Sequence, residues 1–344
     1  MINHSKNDSY VDKFWDKHII PTLLDYIRIP NKSPDFDPEW INNGHMASAL
    51  KLAKDWAEKH KPDGSTVYTF QEDKRTPLII IDCPGNIKGN ILMYGHLDKQ
   101  PEMQGWNDGL GPWKPVIEGD KLYGRGGADD GYAMFAATAV VRSLQDQNID
   151  HPRIIILIEF SEESGSPDLP FYMDHCSSLI GEPNLVVCLD SGAQNYEQFW
   201  TTTSLRGLIG CTVRVDVLNE GVHSGSASGV VPSSFRVLRQ LLSRLEDEKT
   251  GEIILDDLVV DIPERRIEDI NKMVDELAGE FDQFPWHESM KSTTSDPVEG
   301  TLRQTWRPAL SVVGMDGVPA VKDGGNVLRP YTEVKLSMRI PPTL

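Results

Sequence analysis

A histidine and an aspartate two residues apart close a short apolar run: Asn90-Ile91-Leu92-Met93-Tyr94-Gly95-His96-Leu97-Asp98. Such a run reads as a buried strand. Residues i and i+2 of a strand share a face, so His96 and Asp98 are expected to point into one cleft at the strand's C-terminal end. The pair suits a metal ligand and its orienter, because a carboxylate on one imidazole nitrogen leaves the other free for the ion. Alone, this spacing is common. Four further stretches follow: Gly124-Arg125-Gly126-Gly127-Ala128-Asp129-Asp130-Gly131, Glu159-Phe160-Ser161-Glu162-Glu163-Ser164-Gly165-Ser166, Val187-Cys188-Leu189-Asp190 and Gly221-Val222-His223-Ser224-Gly225. Each sets an acid or a histidine at the end of an apolar run or in a glycine-rich turn. Taken singly, each has a bland reading. Glu162-Glu163 could be a solvated turn or helix cap, Asp129-Asp130 a surface turn, Asp190 a loop cap and His223 a turn histidine. Their common placement argues otherwise. Ligands of open α/β sheets collect beyond the carboxyl ends of strands, and His96, Glu162, Glu163 and Asp190 each follow a strand signal.

The elements that position these residues alternate between apolar strands and helices. Helical periodicity runs from Ser9 to Ile29, ending at Pro30, and again from His45 to His60. Strand signals cover Leu78 to Cys83 and Asn90 to Tyr94. A Gly-, Pro- and Trp-rich loop spans Pro101 to Pro115, and a small-residue helix spans Tyr132 to Leu144. Arg153 to Phe160 reads as a central buried strand, Leu169 to Leu179 as a helix and Leu185 to Leu189 as another buried strand. This pattern implies an α/β layer with a mostly parallel sheet flanked by helices. The texture then changes. Thr212 to Val217 and Glu333 to Arg339 alternate apolar and polar residues, as half-solvated strands do. Helices are expected from Ser233 to Leu245 and from Pro263 to Phe281. The expected division is an α/β domain over residues 1–203 and an α+β domain over 204–344.

The chain has 344 residues and a net charge of −18, with 39% hydrophobic and 8% aromatic residues. That is enough for two ordinary domains with real cores. The acidic balance argues against nucleic acid, which needs a basic face. No apolar stretch is long enough to span a bilayer, and the N-terminus shows no secretory h-region. Cys83, Cys176, Cys188 and Cys211 show no CxxC spacing and read as buried free thiols of a reducing compartment. A cytoplasmic location is the expectation.

Taken in order, these motifs resemble the co-catalytic di-zinc peptidases, the group of carnosinase, cytosolic nonspecific dipeptidase, acetylornithine deacetylase, succinyl-diaminopimelate desuccinylase and glutamate carboxypeptidase. The wording is closest to the carnosinase-like dipeptidases. The resemblance implies a catalytic domain with an inserted lid and dimerisation domain. It also implies two divalent ions, zinc foremost, with manganese or cobalt plausible. His96 then resembles a ligand of one ion, Asp129 the bridge between both, Asp190 the carboxylate completing the first set and Glu163 a ligand of the second. Glu162 resembles the general base and Asp98 the orienter of His96. His223 resembles the histidine that, in dimeric relatives, reaches the partner's cleft and polarises the scissile carbonyl. Arg339 matches an arginine that receives the substrate carboxylate, and Asn326 a nearby polar contact. A cis peptide bond is expected between Asp129 and Asp130. The other histidines, His4, His18, His45, His60, His151, His175 and His287, fit no ligand position.

The implied activity is hydrolysis of dipeptides or short peptides with a free carboxylate by a homodimer. N-acyl amino acid deacylation uses the same chemistry and stays open. In the family, the chain returns from the second domain to the first and brings a last histidine for the second ion. No residue here matches it. The sequence is therefore expected to be a fragment of a longer protein or, as the alternative, a naturally short metal-binding or interaction form.

Overall fold

The computed structural model describes residues 1–193, 195, 197–277 and 279–344. They form two compact units, Met1–Gly192 and Ala193–Leu344.

The first unit opens with helix α1 (His4–Phe14), capped by the Asn3 side chain, which accepts from the Lys6 amide. A π-turn (Trp15–Ile19) leads into α2 (Ile20–Ile27), whose Pro21 sits in the first turn, where a missing N–H costs nothing. Next come α3 (His45–His60), β1 (Thr66–Phe70), β2 (Leu78–Cys83), β3 (Asn90–His96), the small hairpin β4 (Val116–Glu118) and β5 (Lys121–Tyr123), and α4 (Ala133–Asp146). The unit finishes with β6 (Arg153–Glu159), α5 (Leu169–His175), α6 (Ser177–Ile180) and β7 (Leu185–Cys188). The predicted helix of Ser9–Ile29 is thus one helical run with a π-turn inside it. The predicted helix of Leu169–Leu179 is two short ones.

Five strands make one sheet in the order β1-β2-β6-β3-β7. Its two faces have different covers. Ile79, Ile81, Cys83, Ile154, Ile156 and Ile158 face the core built with α1 to α4. Leu78, Ile80, Ile155 and Leu157 face Tyr172, Cys176 and Ile180 of the α5–α6 side. Alternate residues of one strand are thus buried in opposite cores, which is why β2 and β6 read as continuous apolar runs rather than alternating ones. The sheet is mixed. β6, β3 and β7 are parallel, whereas β1–β2 and β2–β6 are antiparallel. Residues 71–77 are too short a connection for a crossover, so β2 must return beside β1 as a hairpin. Four of the five strands still run the same way, with their carboxyl ends on one side.

The second unit holds β8 (Gly207–Asp216), β9 (Val222–His223), α7 (Ser224–Ala227), α8 (Ser234–Leu242), α9 (Glu264–Lys272), α10 (Val274–Leu277), α11 (Pro297–Thr305), β10 (Ala309–Asp316), β11 (Val327–Leu328) and β12 (Tyr331–Ile340). An antiparallel sheet in the order β10-β12-β8 packs Val213, Val215, Val334 and Leu336 against Leu238 and Leu242 of α8. The expected helix of Pro263–Phe281 is broken into α9 and α10. All four cysteines are free, but only Cys83 and Cys176 are buried. Cys188 and Cys211 are exposed because they lie on β7 and β8, the edges of their sheets. No helix among the described residues is long and apolar enough to cross a membrane.

Candidate metal centre

The carboxyl end of the first unit's sheet gathers the residues singled out by the sequence. β3 ends on His96, whose side chain is fully buried. The loop after β7 carries Asp190, and the 3-10 turn Glu162–Ser164 follows β6. The glycine-rich turn Gly127–Gly131 leads into α4 and carries Asp129. The two nitrogens of His96 face different partners. Nδ1 lies 3.3 Å from Asp98 Oδ1. Nε2 lies 3.4 Å from Asp129 Oδ1, 3.6 Å from Asp190 Oδ2 and 3.8 Å from Glu162 Oε2. Neither nitrogen is aligned for a hydrogen bond. One donor atom from each of His96, Asp129 and Asp190 falls within 4.8 Å of the others. This is the one such group of three among the described residues, and none of the other histidines joins it.

Asp98 does more than face the imidazole. Its Oδ1 accepts the Glu162 amide at 3.1 Å and its Oδ2 the Glu163 amide at 2.9 Å. The same carboxylate therefore faces the histidine and braces the turn that carries both glutamates. Glu163 takes a hydrogen bond from Gln100 Nε2 on one oxygen, while its Oε1 is buried without a partner.

Asp130 received no role from the sequence. It is fully buried, and its Oδ2 accepts the His96 amide at 3.1 Å. A Cβ on Gly95 would meet that oxygen at 2.6 Å and the Ala133 Cβ at 2.4 Å. Gly95 is thus required for the backbone before His96 to lie against Asp130. The Asp129–Asp130 peptide bond is cis, as the resemblance implies. A glycine directly before the histidine, together with the Asp-Asp doublet, was the available signal.

The electrostatics describe a cluster short of positive charge. Burial acts against the charged form of His96, but Asp129 and Asp98 overcome it and hold the imidazole up at about 12. Asp129 is pulled below the ordinary carboxylate range by His96. Burial pushes Asp130 up to about 8 and Glu163 up to about 7, and it also raises Glu162 and Asp190. Acids this crowded resist ionising together; a bound divalent cation inverts that preference. The unpartnered His96 nitrogens and Glu163 Oε1, set among carboxylates, form a nitrogen and oxygen donor set that fits such an ion.

The other three predicted residues lie in the second unit. His223 ends β9 opposite Val327 of β11, and the Ser224 amide donates to the Asn326 carbonyl at 2.9 Å, so His223 and Asn326 are neighbours. Arg339 is exposed on β12, opposite Ala309 and Leu208. With burial, it lowers the pKa of Arg206.

A histidine and carboxylates converging at the carboxyl end of a mixed α/β sheet are a donor set that suits a divalent ion. Residues 92–328 match peptidase family M20/M25/M40, and the chain belongs to that family of metallopeptidases. It is 25% identical over 351 residues to the Beta-Ala-His dipeptidase of Rattus norvegicus, covering 97% of this chain and 69% of that protein. It is 24% identical over 279 residues to the cysteinylglycine-S-conjugate dipeptidase of Corynebacterium striatum, covering 78% of this chain and 57% of that one. Among solved structures, the di-peptidase Dug1p from Saccharomyces cerevisiae matches with a TM-score of 0.76 at 21% identity, over 99% of this chain and 72% of that chain. Human carnosine dipeptidase 1 matches with a TM-score of 0.70 at 23% identity, over 99% and 73%.

Proposed function

We propose that this protein hydrolyses the peptide bond of dipeptides or short peptides with a free carboxylate. The observation that carries the reading is the division of His96: Nδ1 faces Asp98 while Nε2 faces Asp129, Asp190 and Glu162. The names of its relatives as dipeptidases support the substrate class.

His96, Asp129 and Asp190 would hold one divalent ion, and Asp129 with Glu163 a second, zinc being favoured by the donor set. When bound, such ions polarise the carbonyl and lower the pKa of a water toward neutrality. The protein's own groups then do the rest. Glu162 takes the proton from the attacking water and delivers it to the leaving amine; burial raises its proton affinity toward what a base at neutral pH needs. Asp98 keeps the imidazole turned with Nε2 outward. In a dimer built on the second unit, His223 steadies the oxygen of the carbonyl under attack, and Arg339 and Asn326 take the substrate carboxylate.

The test is metal content per chain together with turnover on one sample, with and without added zinc or manganese. Dipeptides and N-acetyl amino acids form the substrate panel. Metal-dependent cleavage of dipeptides is expected. Turnover of the N-acetyl compounds alone would make the protein a deacylase, and bound metal with no turnover of either would end the catalytic reading for this chain.

A further inference from the structure

Glu159, the last residue of β6, is only 2% exposed. An apolar side chain there would continue the run Ile154–Ile158 at no desolvation cost, whereas a buried carboxylate needs its lone pairs satisfied. Three hydroxyls satisfy them. Tyr94 Oη donates to Oε1 at 2.6 Å, Ser166 Oγ to Oε1 at 2.7 Å and Ser161 Oγ to Oε2 at 3.2 Å. The three donors come from places that matter. Tyr94 is on β3, two residues before His96. Ser161 and Ser166 flank the turn that carries Glu162 and Glu163, and the Ser166 amide closes that turn on the Ser161 carbonyl at 2.9 Å. Ser166 has φ +54°, a conformation uncommon outside glycine. Such a residue persists where its surroundings over-determine it, and here Glu159 and Ser161 do so. The Glu159 carbonyl also accepts the Leu97 amide at 2.8 Å.

We propose that Glu159 is a positioning residue, a buried clamp that fixes both ends of the glutamate-bearing turn to the strand that delivers His96. Asp98 ties the middle of that turn and Glu159 its ends. The proposal rests on the reading of Glu162 as base and of His96 and Glu163 as ligands.

Three variants of the full chain test it. Glu159→Ala removes the clamp. Glu159→Gln keeps its shape and an acceptor for Tyr94 and Ser166. Ser166→Gly removes one hydroxyl while suiting the positive φ, so it tests the clamp even where Glu159→Ala fails to fold. Amide hydrogen exchange of residues 162–166 is measured first, on metal-free protein. Exchange about tenfold faster or more is expected in the alanine and glycine variants, confined to this turn, with the glutamine variant close to wild type. Zinc affinity and dipeptide kinetics follow. A drop in kcat of up to about a hundredfold with little change in KM is expected for the alanine variant, restored by glutamine. Unchanged exchange in Ser166→Gly, or acceleration spread evenly over β6 and α4, would overturn the proposal. If the wild-type protein cleaves no dipeptide, the proposed function fails, while exchange and zinc affinity still decide the role of Glu159.

Discussion

Glu162 and Glu163 are adjacent, yet the geometry gives them different work. Glu162 reaches toward His96 Nε2, while Glu163 is held by Gln100 and keeps one buried oxygen unpartnered. The group of three donors within 4.8 Å includes neither glutamate, and what sets Glu163 apart as the candidate ligand is its buried oxygen without a partner. Glu162→Gln should therefore lower kcat by about 10²- to 10⁴-fold, the range for a general base, while metal per chain stays at the wild-type value. Loss of metal from that variant would contradict the division of labour. The pair His96 and Asp98 was legible in the sequence because strand geometry forces i and i+2 onto one face. Asp130 left a partial signal in Gly95 and the Asp-Asp doublet, but Gln100, Tyr94 and Glu159 left none. Their roles depend on hydrogen bonds between segments far apart in the chain, such as Tyr94 to Glu159 across 65 positions, and a local pattern carries no trace of that pairing.

At the scale of elements, the centre depends on how closely β3 approaches the turn before α4. At Gly95 that approach leaves no room for a Cβ, which would meet the Ala133 Cβ at 2.4 Å and Asp130 Oδ2 at 2.6 Å. Gly95→Ala should destabilise the metal-free fold by about 1–3 kcal/mol, the cost of overpacking a filled core. It should also weaken metal binding, because the His96 amide must leave Asp130. Gly165→Ala is the contrast. Gly165 has φ +81° but nothing within 4 Å of an added Cβ, so only the backbone conformation opposes it. Thermal unfolding and zinc titration of both variants check the difference. The helix α3 was legible from end to end, and β6 was legible as central, because burial on one or both faces writes itself into periodicity. The edge strand β1 was not, since Thr66-Val67-Tyr68-Thr69-Phe70 is only partly buried. The antiparallel entry of β2 was also hidden, because an apolar run does not encode strand direction.

For the whole molecule, the charge of −18 gives a well-hydrated surface, but Asp130 and Asp98 at the centre are fully buried and are not part of that surface. In the metal-free fold Asp130 is held up at about 8 and Glu163 at about 7 by burial, against about 4 for an unfolded carboxyl. Between those values the folded chain binds more protons than the unfolded one. Linkage then makes stability fall as pH rises from about 4 through about 8. His96, held up at about 12, acts in the same direction above its unfolded value of about 6.5. Asp129 is shifted the other way, but that contribution is lost only at acid pH and does not enter this window. A divalent ion favours the ionised acids and the neutral imidazole, so its binding releases protons and tightens as pH rises. The Tm of the metal-free protein should therefore fall more steeply between pH 5.5 and pH 8 in the wild type than in Asp130→Asn, a comparison in which the opposite shifts of His60 and Lys99 cancel. The rise in Tm on adding zinc or manganese should be larger at pH 8, with protons released on titration in weak buffer. A Tm gain independent of pH, with no proton release, would place the ion away from His96, Asp130 and Glu163 and would remove this centre as its site.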